Sequence, residues 1–185
     1  MRITGGQARG IPLMLPRGDA VRPATDALRQ AVFSSLAVLV PGARFLDLFA
    51  GSGAYGLEAF SRGAIGGVFV ERNARTAACI RQNITAICKS LGGDAGELQV
   101  ITADATSVPW GAAPDLVFID PPYEIIPQVA PKIFARLTEL LADKADPIIV
   151  FEMPGGMELF PAGWTCLKRL GKGARQPTAC VFKAS

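Results

Sequence analysis

Between residues 44 and 152, short apolar runs of strand type recur at 44–49, 67–71, 97–102, 115–119 and 147–152. Longer segments of helical character fall between most of them, near 55–62, 73–91 and 128–142. Mostly apolar runs of strand length suit strands covered on both faces. Their alternation with helices predicts an α/β domain, a mostly parallel sheet with helices on both faces. Upstream, "ATDALRQAVFSSLAVL" places Leu28, Val32, Phe33, Leu36 and Leu39 at helical spacing, with Thr25 as candidate N-cap and Pro41-Gly42 as the stop. At the N-terminus, "RITGG" and "GIPLMLP" are two apolar runs separated by glycine-rich chain, which predicts a small hairpin. After Glu152, "WTCLKRLGKG" and "QPTACVFKA" read as an antiparallel pair closing one edge of the sheet. The chain has 185 residues, without repeats, low-complexity tracts or a linker, so one domain over 1–185 is expected, residues 1–22 being a basic N-terminal extension.

Composition removes several classes of function. No apolar run reaches the roughly 18 to 20 residues of a membrane span, and "MRITGGQARG" lacks the apolar core of a signal peptide, so a cytoplasmic protein is expected. Cys79, Cys88, Cys166 and Cys180 form no C-x-x-C pair and no metal-ligand spacing; they are expected to be buried free thiols, and no metal is expected. Histidine is absent, which excludes imidazole bases and every Ser-His or Cys-His nucleophile pair. The net charge of +3 is unevenly spread. Residues 1–29 carry five Arg against two acids and residues 166–185 carry five Lys or Arg against none, whereas the chain between them has nine basic and fourteen acidic residues. Such ends are either solvated charge on loose termini or a rim that faces a polyanion.

The candidate chemistry begins after the first strand of the alternating part. "FLDLFAGSGAYGLEA" sets Gly51, Gly53 and Gly56 in the order G-x-G-x-x-G between that strand and a helix. Glycines there let a ligand approach the backbone N–H groups of a helix N-terminus without Cβ atoms in the way. Glu71 ends the next strand, 20 residues after Gly51, where a carboxylate accepts hydrogen bonds from both hydroxyls of a ribose. A nucleoside ligand follows, and the glycine pattern alone would favour NAD. Asp47 weighs against it, because a carboxylate beside the loop repels a pyrophosphate. S-adenosylmethionine (AdoMet) carries an ammonium, a sulfonium and no phosphate, and suits Asp47. Asp104, in "ITADA", is placed either to accept from an adenine amino group or to cap a helix.

A second stretch, "DLVFIDPPYE", ends an apolar strand in Asp120, Pro121, Pro122 and Tyr123. A plain strand-ending turn accounts for the prolines, which cannot donate ladder hydrogen bonds, and leaves Asp120 and Tyr123 to chance.

With "DLFAGSG", "VER" and "DPPY" in that order, the chain resembles class I AdoMet-dependent methyltransferases acting on a planar exocyclic amine. "RITGGQARG", "RPATDALRQAVFSSL", "FLDLFAGSGAYGLEAFSRGA" and "FVERN" together resemble the RsmD family, bacterial methyltransferases that modify N2 of a guanine in 16S ribosomal RNA. The resemblance implies a Rossmann-like class I methyltransferase fold and AdoMet as cofactor, held by Asp47, Phe49, Gly51, Gly53, Glu71, Arg72, Asp104 and Ala105. It implies a catalytic loop of Asp120, Pro121, Pro122 and Tyr123, and RNA contacts from Arg2, Arg9, Arg22, Lys168 and Arg175. The implied partner is 16S rRNA or the small ribosomal subunit, met by a monomer without metal or membrane. Gln30 stands where family members commonly have Glu, and "GARQPTACVF" lacks the tyrosine-glycine-lysine-threonine type of sequence often found there.

In such a loop Asp120 would accept one N–H of the exocyclic amine and the Pro121 carbonyl the other, drawing out a lone pair otherwise delocalised into the ring. Tyr123 would supply a face for the unstacked base. A DNA adenine-N6 methyltransferase would use the same loop, but some 140 residues go into the catalytic sheet and leave little for DNA target recognition. A methyltransferase-like RNA-binding module without activity is the non-catalytic alternative, against which the intact Asp-Pro-Pro-Tyr stands.

Overall fold

The computed structural model describes residues 1–15, 26–93, 97–171 and 173–185. Arg22 and Thr25, assigned above to RNA contact and helix capping, lie outside the described residues. The first helix, α1, is Asp26–Ser35; then follow β1 Arg44–Leu48, α2 Ala54–Ser61, β2 Gly66–Glu71, α3 Ala74–Leu91, β3 Glu97–Thr102 and β4 Leu116–Ile119. A single 3₁₀ turn, Tyr123–Ile125, leads into α4 Ile126–Leu140, and β5 Ile148–Pro154, β6 Trp164–Leu170 and β7 Pro177–Ala184 complete the chain.

The seven strands form one sheet in the order β3-β2-β1-β4-β5-β7-β6. The first five are parallel, and β7 inserts antiparallel between β5 and β6. The order reverses between β1 and β4, where helices on opposite faces part and leave a crevice at the carboxyl ends of the strands. Each expected strand and helix of the alternating part is present to within about two residues at its ends.

Strand alternation divides the apolar residues into two cores. Phe45, Phe69, Phe118 and Val150 face α1, α2 and α3, joined by Val32, Phe33, Leu57 and Ile80 from those helices. Leu46, Leu48, Val117, Ile149 and Phe151 face α4, with Ile133, Phe134 and Leu137 upon them. Between β3 and β4 there is no helix. The segment "ADATSVPWGAAP" is interrupted by Pro109, Gly111 and Pro114, and Trp110 covers the sheet there beneath the Arg136 guanidinium, 4.0 Å from its ring centroid.

At the N-terminus the hairpin is reduced to one antiparallel bridge, Arg2 to Pro12, with the Ile3 N–H on the Ile11 carbonyl at 2.9 Å. This segment is docked rather than loose: Ile3, Ala8 and Leu13 are buried in the core. Gly6 has φ +77, and a Cβ there would lie 2.0 Å from the Ser61 carbonyl oxygen, so "TGG" is what brings the segment onto the end of α2. Cys79, Cys88 and Cys180 are buried free thiols as expected; Cys166 is exposed, because β6 is the edge strand and is open along most of its length.

Candidate active site

A cleft of about 930 Å³ opens at the carboxyl ends of β1, β2 and β4. Its rim is made by the chain after β1. Phe49 (φ 59) and Gly51 (φ 54) both adopt left-handed backbone, and Gly53 (φ 79) begins α2. Phe49 is one of two non-glycine residues with positive φ among those described, a strained conformation of the kind that functional turns retain. The three glycines have different tasks. Gly51 lines the cleft. Gly53 and Gly56 do not; a Cβ on Gly53 would lie 3.1 Å from Ile80, and one on Gly56 only 2.4 Å from Phe69, so these two serve helix-to-sheet packing.

Asp47 and Glu71 hold the loop from either side. Asp47 is 1% exposed, and its Oδ2 accepts the Gly56 N–H at 2.9 Å, a carboxylate on the N-terminal turn of α2. Burial outweighs that bond and, with the nearby Glu71 charge, pushes Asp47 up to about 8. Glu71 accepts the Gly51 N–H at 3.1 Å through Oε2 and the Asn73 N–H at 2.8 Å through Oε1. A carboxylate has about four lone-pair sites, so each oxygen retains room for a hydroxyl.

Asp104 settles in a turn rather than at the head of a helix. Its Oδ1 accepts the Thr106 hydroxyl at 2.6 Å and the Thr106 N–H at 2.7 Å, and these bonds hold its carboxyl below the usual range. Arg72, Asp104 and Ala105 line the cleft beside Glu71. The Ala105 carbonyl accepts the Trp110 indole N–H at 3.0 Å and the Arg136 guanidinium at 3.1 Å, which secures that wall.

The opposite wall is the Asp-Pro-Pro-Tyr loop, and Asp120, Pro121, Pro122 and Tyr123 all line the cleft. Pro122 has φ −53 and ψ 133, and its carbonyl accepts the Ile125 N–H at 3.1 Å, which closes the 3₁₀ turn and lifts the half-buried Tyr123 ring to the mouth. Asp120 is pushed well above the ordinary carboxylate range, chiefly by burial and then by Glu152 and Asp47.

Sequence reasoning overlooked Tyr55 and Glu152. Tyr55, an unspecified position inside the glycine motif, lines the cleft, stacks on Phe118 with centroids 5.4 Å apart, and donates to Glu152 Oε2 at 2.8 Å. Glu152 ends the apolar run 147–152, the same signal that singled out Glu71 and Asp120. Met1, Gln128 and Lys132 also line the cleft and carried no sequence signal.

Among the described lining residues, Asp47, Glu71, Asp104, Asp120 and Glu124 stand against Arg72 and Lys132. Carboxylates so placed suit a cationic ligand, whose charge favours the ionised forms of the raised Asp47 and Asp120. Arg2, Arg9, Lys168 and Arg175 do not enter the cleft; all four are exposed. The register that pairs Pro154 with Pro177 puts the β6–β7 turn, with Arg175, at the same end of the sheet as the cleft. Among the described residues there is no group of three or more His, Cys, Asp or Glu that could hold a metal, and no helix long and apolar enough to cross a membrane.

Comparison with known proteins agrees with this architecture. The family described as Conserved hypothetical protein 95 matches residues 1–179. Ribosomal RNA small subunit methyltransferase D of Escherichia coli is 33% identical over 173 residues, covering 89% of this chain and 81% of its own length. The protein of the same name from Haemophilus influenzae is 29% identical over 175 residues, covering 94% and 89%. The solved structure of Escherichia coli yhhF superimposes with a TM-score of 0.78 at 30% identity, covering 100% of this chain and 98% of that one. A likeness that runs the length of the chain in both sequence and fold has one reading: this chain belongs to the Conserved hypothetical protein 95 family, the RsmD family of methyltransferases.

Proposed function

We propose that this protein transfers a methyl group from AdoMet to the exocyclic N2 of a guanine in 16S ribosomal RNA. The observation that carries the reading is the meeting of the Glu71-braced glycine loop and the Asp120 to Tyr123 loop across one acidic cleft. When bound there, AdoMet supplies an electrophilic methyl on a sulfonium. Glu71 takes the ribose hydroxyls, while Asp47 and Asp120 face the positive end of the ligand. Phe49, Gly51, Arg72, Asp104 and Ala105 shape the remainder of its pocket, and Gly53 acts from behind by seating α2.

Asp120 accepts one N–H of the guanine amine and the Pro121 carbonyl, on a chain stiffened by two prolines, accepts the other. The half-buried Tyr123 ring takes the base once it has left its stack. Arg2, Arg9, Lys168 and Arg175 are proposed to meet RNA phosphates, and the shared end of the sheet supports this for Arg175. Lys168 donates to the Ser35 hydroxyl at 3.1 Å, a bond it would exchange for a phosphate.

The test is methylation of 16S rRNA, naked and within small subunits, both from cells lacking this enzyme, with labelled AdoMet and mapping of the product. One N2-methylguanine at a single position is expected. Label on adenine, or on neither RNA substrate, would overturn the reading.

A further inference from the structure

Three carboxylates share one face near the carboxyl ends of β1, β4 and β5, a staggered row in which Asp47 lies two residues deeper than Asp120 and Glu152. The register sets Asp47 against Phe118 and Phe118 against Val150, and it sets Ile119 against Phe151. Registered residues of neighbouring parallel strands turn to the same face, and one step beyond Ile119 and Phe151 brings Asp120 beside Glu152. Asp47, Asp120 and Glu152 therefore lie on the face of Phe45, Phe118 and Val150, beneath α1 and α2.

Tyr55 covers the row from α2, donating its hydroxyl to Glu152 at 2.8 Å. Asp47, Tyr55 and Asp120 reach the cleft, whereas Glu152 does not and is 2% exposed. From α1 the nearby charge is Arg29, already paired with Glu58 at 3.2 Å and Asp26 at 2.9 Å. From β7 the neighbours of Glu152 are Ala179, its registered partner, and Thr178, neither of which titrates. A buried row of three acids with so little positive charge cannot be fully ionised near neutral pH. Burial pushes Glu152 up to about 7 and Asp47 up to about 8, and raises Asp120 as well.

Building on the AdoMet reading above, we propose that Glu152, held by Tyr55, is a positioning residue that acts through Asp120: the row keeps a proton while the cleft holds no cation, releases it when the cationic methyl donor binds, and accepts one back from the methylated amine. As the C–N bond forms the S–C bond breaks, and the S–C electron pair stays on sulfur, so the positive charge leaves sulfur and appears on nitrogen. The surplus amine proton then passes to Asp120. With the sulfonium charge gone, the like charges of Glu152 and Asp47 favour protonated Asp120, and the product leaves as a neutral N-methyl amine. The row is most basic at the moment a proton must be taken.

Calorimetric titration with AdoMet at pH 7, in buffers of different ionisation enthalpy, measures the protons exchanged on binding. Net release of roughly one proton is expected with AdoMet. Clearly less is expected with S-adenosylhomocysteine, which lacks the sulfonium charge. Glu152→Gln, whose amide oxygen can still accept from Tyr55, should lower the release. AdoMet binding without proton exchange, or equal exchange with both ligands, would overturn the inference and leave the AdoMet reading standing. No AdoMet binding in any buffer would remove that reading, and the inference with it.

A second readout uses the ligand-free protein. A raised carboxyl favours folding below its ordinary value of 4.5 and loses that contribution as pH rises through about 7. Tm should therefore fall between roughly pH 5 and 8, and Glu152→Gln should flatten the fall. A Glu152→Gln profile parallel to the wild type would also count against the proposal.

Discussion

At the scale of single residues, the proposed reaction makes Asp120 an acceptor during methyl transfer and a proton holder after it, and two substitutions separate these roles. Asn keeps an acceptor oxygen at the same place and cannot take a proton; Ala keeps neither. Asp120→Asn should retain measurable single-turnover methylation at saturating AdoMet, with the proton passing to water. Asp120→Ala should lose about 10²–10³-fold, the usual effect of deleting one directed polar contact to a transition state. Equal, complete loss in both would defeat the acceptor role. Tyr123 has a role of shape: Tyr123→Phe should be mild, and Tyr123→Ala should cost about 1–3 kcal/mol in RNA engagement while sparing AdoMet affinity.

At the scale of elements, one buried carboxylate fastens three pieces of chain. Glu58, on α2, is fully buried and accepts the Thr4 N–H (2.8 Å) and hydroxyl (2.7 Å), Arg29 Nε (3.2 Å) from α1, and Arg62 Nε (2.9 Å) from just beyond its own helix. Arg29 in turn donates to Asp26 and to the Arg2 carbonyl, while its Nη1 has no acceptor among the described residues. Removing Glu58 would strand a buried guanidinium that Asp26, itself partly exposed, cannot fully compensate. Glu58→Ala should therefore cost about 3–5 kcal/mol, read from the denaturant midpoint at unchanged m-value. Faster proteolysis of residues 1–13 should accompany it, since Thr4 is released at the same time.

At the scale of the whole molecule, carboxylates of the acidic middle line the cleft, and Arg175 of the basic C-terminal end lies at the same end of the sheet. Deleting residues 1–20 would remove Ile3, Ala8 and Leu13 from the core, so charge reversal is the cleaner probe of the N-terminal arginines. Reversing Arg2, Arg9 or Arg175 to Glu should weaken RNA binding and lower the slope of log affinity against log salt, by about 0.7 for each single-strand phosphate that is no longer neutralised. AdoMet affinity should not change. A salt slope identical to wild type in all three would make these charges ordinary solvated surface.

The sequence by itself determined the elements and most of the candidate site they carry. Apolar runs alternating with helical segments suit a covered parallel sheet, and Gly51, Glu71, Asp120 and Tyr123 stand out because a strand-ending turn does not account for them. Tertiary structure decided what depends on register and on neighbours distant in the chain. Gly53 and Gly56 face Ile80 and Phe69 rather than a ligand, which no spacing reveals. Arg2 and Arg9 ride on a docked segment because Thr4 meets a carboxylate 54 residues away. Tyr55 and Glu152 are 97 residues apart, and their bond exists only because β5 lies beside β4 and the Tyr55 ring reaches from α2 across Phe118 of β4. Residue type is local information, whereas proton affinity is a property of the buried neighbourhood, and only the folded sheet assembles Asp47, Asp120 and Glu152 into one.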